Sequence, residues 1–325
     1  MNRRQLLVAS LGLSTTTFAF AQDASEYPSR TVRLMVGFAA GGPQDNITRM
    51  LAEYFGKQFD RSFYVENRPG ANGEVAANYT KYLTADGYSL LLAGSGAMSV
   101  APSMQTALGY NSAKDFTAIG RVSGFVYLLA VPSSSPFKST RDLILYGRTN
   151  KGALSYASAG IGATNHLAGE WFKSRTGVDA VHVPYKGDAE ALTDLIAGRV
   201  SYAFIGGPGV IAQAKAGKLR ILASSGLTQK QEGIDVPTVA QAANIPDFDV
   251  VPWTGLFAPA GLASGIVGRL NTAIMKSMAT PEAKARLLAI GQFSFTDTPE
   301  QFAQYLRTEN ARWASVVELA QIRKM

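Results

Sequence analysis

The residues best suited to chemistry in this chain are Gly37-Phe38-Ala39-Ala40-Gly41-Gly42-Pro43-Gln44-Asp45. They follow an apolar run, Thr31–Val36, and precede Ile47, Met50, Leu51, Tyr54 and Phe55, an apolar stripe at helical spacing. This order reads as a strand, a glycine turn and a helix N-terminus. Small residues let a ligand approach the backbone. Pro43 suits the first helical position, where its missing N–H costs nothing. The N–H groups left free there, with the helix dipole, make an anion site. The stretch also reads as a tight βα turn without a ligand.

Other stretches repeat the plan. Tyr88–Ala93 is an apolar strand that runs into Gly94-Ser95-Gly96-Ala97-Met98-Ser99. Leu154–Ala157 leads into Ser158-Ala159-Gly160-Ile161-Gly162-Ala163-Thr164-Asn165, with Thr164 or Asn165 the expected N-cap. Tyr202–Ile205 ends in Gly206-Gly207-Pro208-Gly209. Parallel strands with helical crossovers place such turns on one edge of a sheet, where α/β proteins bind ligands. Two helix N-termini facing one cleft would each contribute about 0.3–1 kcal/mol toward an anion, up to ~2 when partly buried. Hydrogen bonds from several N–H groups to a charged ligand add about 1.5–3 kcal/mol each in gross terms. Micromolar affinity, about −8 kcal/mol, is within reach without a buried Arg or Lys.

Catalytic and metal chemistry find little support. There are no cysteines, so disulfides, thiolates and Cys-based metal sites are excluded together. His166 and His182 are the two histidines; both read as structural or peripheral, and no H-x-x-x-H pair exists. Ser95 has alanine at 93 and 97, so it is no G-x-S-x-G elbow. No nucleophile–base pair stands out. Asp45 reads as a helix-start residue rather than an acid catalyst. Trp253 and Tyr185 are candidate pocket walls, and Trp171 is expected in the core. No cofactor is expected.

The elements that position these turns alternate between strand and helix. Helices are expected through Val75–Leu83, Thr140–Arg148, Leu167–Phe172 up to Gly177, and Ala189–Ile196. Strands are expected at Ser62–Val65, Phe125–Val131, Val181–Val183 and Leu219–Ala223. The final third is mostly helical, with a capping box at Thr298-Pro299-Glu300-Gln301. The pattern implies an α/β fold with largely parallel sheets. Pro132-Ser133-Ser134-Ser135-Pro136 reads as a segment crossing between lobes, and Ser224–Gly233 as the return. Two lobes joined by two crossings describe a hinged clamshell. The lobes are expected at 22–125 plus 226–325 and at 126–225.

A length of 325 residues fits roughly two domains, with ample chain for a core. Arg3, Arg4, an apolar run over Leu6–Leu13 and Ala19-Phe20-Ala21 form a signal peptide, residues 1–21, cleaved after Ala21. Export to the periplasm follows, by a Sec or a twin-arginine route. Without Arg3 and Arg4 the net charge falls from +7 to +5, with no basic run of the nucleic-acid type. The chain is read as a monomer that binds no nucleic acid.

An ordered set of motifs then gives a resemblance. It includes Tyr27-Pro28-Ser29-Arg30, Gly41-Gly42-x-x-Asp45, Val65-Glu66-Asn67-Arg68-Pro69-Gly70-Ala71, and Val181-His182-Val183-Pro184-Tyr185-Lys186-Gly187. Asp235-Val236-Pro237-Thr238-Val239 and Ala258-Pro259-Ala260-Gly261 complete it. The chain resembles the Bug-type periplasmic solute-binding proteins of tripartite tricarboxylate transporters, over essentially its whole length after residue 21. The resemblance implies an α/β, type II periplasmic-binding-protein fold with a ligand cleft between two lobes. It implies a carboxylate ligand held by backbone amides and water. It implies partners in the large and small membrane subunits of a transporter. The ligand-binding residues carried over are Phe38, Ala39, Ala40, Gly41, Gly42, Gln44 and Asp45, then Ser95 and Gly96. Ser158, Ala159, Gly160, Ile161, Gly162, Ala163, Thr164 and Asn165 follow, then Phe204, Ile205 and Gly206; Trp253 joins them as a candidate pocket wall.

Departures from the family pattern fall where specificity should lie. Ala39-Ala40 replaces a common Pro-Pro, Ile161 and Ala163 stand where polar residues are frequent, and Phe204-Ile205-Gly206 replaces Phe-Asp-Asn. A less polar cleft implies an apolar or aromatic carboxylate rather than citrate or an amino acid, because polar groups left unpaired against Ile205 and Ile161 are costly. The rival readings are a ligand-presenting sensor module and a periplasmic hydrolase.

Overall fold

In a computed structural model, residues 26–228 and 231–325 are described. The expected signal peptide lies outside them. The buried apolar run Val32–Val36 forms β1, flanked in parallel by β2 (Phe63–Asn67) and β3 (Ser89–Gly94). Three further strands extend this sheet: β4 (Phe116–Gly124), β10 (Trp253–Pro259) and β11 (Phe293–Ser294). Its order is β11-β4-β10-β3-β1-β2. A second sheet holds β5 (Leu128–Pro132), β6 (Leu154–Ser158), β7 (Ala180–Pro184), β8 (Tyr202–Ile205) and β9 (Leu219–Ser224), in the order β7-β6-β8-β5-β9.

The sheets are mixed, which corrects the expectation of largely parallel pairing. β10 runs antiparallel to β3 and β4, and β5 runs antiparallel to β8 and β9. The cause is the crossing itself. β4 leaves its sheet at Gly124 and the chain enters β5 at Leu128. β9 leaves at Ser224 and the chain re-enters at Trp253. Each entering strand starts at the edge where its neighbours end, so it must run against them. The two edges that carry the strand-to-helix turns therefore face each other across the crossings. Phe125 N–H donates to the Pro252 carbonyl (3.0 Å) and Ser225 N–H to the Tyr127 carbonyl (2.9 Å), tying the crossings together.

Pro132–Pro136 is not a crossing. Pro132 pairs with Leu219 at the far end of the second sheet, and Ser133 N–H donates to the Lys218 carbonyl (3.0 Å). Serine and proline mark a turn of any kind, so composition did not say which edge it occupies. The stretch after Ser225 also packs where the second sheet lies. It carries α8 (Val239–Ala243), and Phe248 stacks on Trp171 at 4.8 Å.

Helices cover both faces. α1 (Pro43–Phe59) and α9 (Ser264–Ala279) bury Ile47, Met50, Leu51, Phe55, Leu270, Ile274 and Met278 against the first sheet. α5 (Thr164–Thr176) buries Leu167, Trp171 and Phe172 against the second. α11 (Pro299–Leu319), opened by the Thr298–Gln301 capping box, spans both. Its Phe302 and Leu306 pack with Trp253 and Phe257, whereas Trp313, Val316 and Val317 pack with Trp171 and Phe248. No helix among the described residues is long and apolar enough to cross a membrane.

Candidate functional site

The turn after β1 is held from below by one carboxylate. Asp45 is 1% exposed and accepts from Gly41 N–H, Arg49 Nε and Asn67 Nδ2, each at 2.8 Å. Burial pushes the carboxyl up, but the Arg49, Gly41 and Asn67 hydrogen bonds outweigh it and hold it down at about 2. Asn67 Nδ2 also donates to the Phe38 carbonyl (2.9 Å). The charge of Asp45 is thus spent on shaping the turn, as its reading as a helix-start residue implies. Ala39, Ala40 and Gly41 are exposed above it. Gln44 turns inward instead, its amide 3.5 Å from Thr254 Oγ1.

Two neighbouring turns close against the first. Gly70, Ala71, Asn72 and Gly73 have φ of 143°, 43°, 52° and 96°, so the chain coils left-handed after β2. Non-glycine residues pay for that conformation, and such strain gathers at functional sites. A Cβ on Gly37 would lie 2.4 Å from Gly73 Cα, and one on Gly96 would lie 2.4 Å from Asn72 Nδ2. Only glycine allows three loops to pack this tightly at one edge. After β3 the chain does not form an open turn. Gly96–Val100 is a π-helical segment that leads into α3 (Ala101–Met104).

On the opposite edge, Asn165 organises the turn after β6. Its Oδ1 accepts from Ala159 N–H (3.1 Å), and its Nδ2 donates to Asp188 Oδ1 (2.9 Å) and the Phe204 carbonyl (3.2 Å). This corrects the expected capping role: the N-cap of α5 is Ala163, without a side-chain bond. Asp188 opens α6 (Asp188–Ile196), and burial pushes its carboxyl up to about 6 although Asn165 hydrogen-bonds to it.

His182 Nε2 lies 2.7 Å from Ser158 Oγ, a nucleophile–base distance that no spacing in the sequence revealed. Adjacent parallel strands bring the two together. The pair supports the turn rather than catalysis. Ser158 is fully buried, its Oγ accepts from Gly160 N–H (3.1 Å), and burial holds His182 down at about 4. His166 stacks on His182 at 4.2 Å and accepts from Gly162 N–H through Nδ1 (3.3 Å).

Between the two edges lies a cleft of about 430 Å³. Gly96, Ala159, Ile161, Gly162 and Ala163 line it, as carried over. Sequence reasoning did not single out its other walls: Ala71, Asn72, Glu74, Ala101, Met104, Gln105 and Met325. The run Pro69-Gly70-Ala71-Asn72-Gly73 was the available signal, because it follows a strand at the same edge. Met104, Gln105 and Met325 had none, since only folding brings Met325 N–H to the Met104 carbonyl (2.8 Å).

Several candidate residues stand behind the cleft surface. Ser95, Ser158, Thr164, Asn165, Phe204, Ile205 and Trp253 are all buried. Ile205 and Trp253 sit in a hydrophobic core, Trp253 against Phe302 at 5.2 Å. Ile205 therefore presents no apolar surface to a ligand, and that part of the specificity argument falls. Ile161 keeps it, at 59% exposed. Tyr185 is occupied with Asp194 (2.8 Å). Phe125 packs where a side chain on Gly206 would go.

Apart from Glu74, the electrostatics of the cleft lining come from the backbone. α1, α2 (Glu74–Thr80), α5, α6 and α7 (Pro208–Lys215) all begin after strands that end at the facing edges. None has a side-chain cap. At the far edge α4 (Thr140–Thr149) is capped by Ser139, whereas α9, which follows the far end of β10, is uncapped; α8 and α11 are capped by Thr238 and Thr298. Of these termini, those of α2 and α5 reach the cleft lining; Glu74 occupies the first, so the start of α5 leaves N–H donors and a positive dipole end there for an anion. No lysine or arginine lines the cleft among the described residues.

Comparison with known proteins gives the family and the fold. The profile of the family described as the tripartite tricarboxylate transporter family receptor matches residues 47–322. BugT of Bordetella pertussis is 30% identical over 319 residues, covering 98% of each chain. An adipate-bound protein of R. palustris superposes with a TM-score of 0.78 at 32% identity, covering 92% of this chain and all of that one. MatC of Rhodopseudomonas palustris, with bound malate, gives a TM-score of 0.74 at 29% identity over 90% of this chain and 100% of its own. With its two mixed sheets, its facing turns and these matches, the chain has the fold of the periplasmic solute-binding proteins and belongs to the tripartite tricarboxylate transporter receptor family.

Proposed function

We propose that this chain is a periplasmic receptor that captures a small carboxylate with an apolar body in the cleft between two lobes. The observation that carries it is the uncapped N-terminus of α5, whose turn lines a cleft without lysine or arginine among the described residues. Such a site attracts one anionic group without a buried counter-ion. Ile161, Met104 and Met325 supply apolar contact for the rest of the ligand. The first lobe holds 22–125 and the chain from Trp253 onward, the second holds 126–225 with the α8 stretch that packs on it, α11 spans both, and the protein is exported with residues 1–21 removed. It acts as a monomer that delivers ligand to the large and small membrane subunits of a tripartite transporter.

A thermal-shift screen of mono-, di- and tricarboxylates, aromatic acids and acidic amino acids tests the reading. Ligand at about 100 times its Kd adds ~2.7 kcal/mol. Apolar or aromatic acids should raise the melting temperature by a few degrees. A response to citrate-like acids or acidic amino acids alone would remove the apolar assignment. A folded protein that responds to no acid would remove the receptor reading. Co-purification with the two membrane subunits, stronger with ligand than without, tests the transporter partnership.

A further inference from the structure

Glu74 is the charged residue lining the cleft among the described residues, and its sign is the wrong one for a receptor of polyanions. It opens α2 beside the left-handed turn. Gln105, just after α3, donates its Nε2 to both carboxylate oxygens, at 3.2 and 3.1 Å. This contact joins two segments 31 residues apart and fixes the carboxylate at the cleft wall. Gln105 supplies a single amide nitrogen to a group with about four acceptor positions. The remaining lone pairs have room for a donor from a ligand.

We propose that Glu74, held by Gln105, reads the end of the ligand opposite its bound carboxylate, accepting a hydroxyl or amino group there and rejecting a second carboxylate. This rests on the receptor reading above. Helix termini hold one carboxylate. A second carboxylate at Glu74 would bring two like charges to hydrogen-bond distance, and such pairs do not both ionise. No lysine or arginine lines the cleft to offset the repulsion. An uncharged donor or an ammonium meets no such obstacle and gains a charge-assisted hydrogen bond. The ligand class is then a monocarboxylate with an apolar middle and a donor at its far end. Adipate and malate, held by the two R. palustris relatives, are dicarboxylates, so this chain would differ from both.

Calorimetric titration of the purified chain with matched acids tests the proposal. The pairs run from 3-hydroxypropanoate against malonate to 8-hydroxyoctanoate against suberate, with the corresponding ω-amino acids and with 4-hydroxybenzoate against terephthalate. The donor-bearing acid of the best-fitting length should bind at least about tenfold tighter than its dicarboxylate partner. Glu74→Gln should reduce that ratio about tenfold or more, mainly by strengthening dicarboxylate binding. Glu74 is half-buried at a helix start, so the variant is expected to fold, and its cooperative melt verifies this. Equal or tighter binding of the dicarboxylate by the unmodified chain, or an unchanged ratio in Glu74→Gln, would overturn the proposal alone. Binding of no acid by either protein would overturn the receptor reading with it.

Discussion

Replacing Asp45 with asparagine removes the one charge that shapes the turn after β1. The carboxyl sits at about 2 against an ordinary 3.8, nearly two units lower. At ~1.36 kcal/mol per unit that is about 2 kcal/mol of folding stability at neutral pH. The carboxyl is buried, but Arg49 is half exposed, so salt trims the contribution. Unfolding entropy of ~2.1 cal/mol/K per residue over roughly 300 residues converts this to a drop of about 3–4 °C in Tm. The sign is set by the lowered value. The stabilisation is full above 3.8 and is lost as pH falls through about 2. Asp45→Asn should therefore melt lower than the unmodified chain at pH 7, and the gap should close in acid. Carboxylate affinity should fall as well, because Gly41 and Asn67 lose their common anchor. Equal melting temperatures at pH 7, or a gap that persists at about pH 2, would refute the reasoning.

Two other substitutions probe different parts of the molecule. Gly162 has φ of +79°, and a Cβ there would lie 2.9 Å from Met325 Cε. Gly162→Ala should cost about 1–2 kcal/mol of stability and weaken ligand binding about tenfold. Gly152→Ala, at φ +71° with nothing within 4 Å, should cost similar stability with unchanged affinity; chemical denaturation and calorimetry separate the two. Glu309 is 3% exposed, and burial pushes its carboxyl up to about 7 although Arg312 and Trp313 bond to it. Its raised value means that stability is full below 4.5 and is lost as pH rises through about 7. Glu309→Gln should therefore gain on the unmodified chain in Tm across that window, and a difference that is flat with pH would contradict this.

Much of the architecture is legible in sequence because it is local. The stripe Ile47, Met50, Leu51, Tyr54 and Phe55 fixes α1, and glycine turns mark the strand ends. Thr298–Gln301 announces its capping box. What is not legible depends on direction and distance. Ile205 and Trp253 lie at strand ends beside the cleft, yet the pleat turns both into the core. Asn165 carries the residue type of a cap but finds better partners in Ala159, Asp188 and Phe204. β4 alternates irregularly because its pairing with β10 shifts register twice, so no clean period of two survives. Glu74, Gln105 and Met325 meet only through folding, and no spacing along the chain could have joined them.

The proposed receptor holds a carboxylate with turns from the two facing edges and without a cationic side chain. A crystal structure with the best acid from the screen tests it most directly. The carboxylate should lie within about 3 Å of backbone N–H groups from the turns at 37–45 or 94–99 and at 158–165 together. No lysine or arginine side chain should be in contact. A carboxylate bound to Lys215 in the groove beside α7, or to any other cation away from these turns, would contradict it.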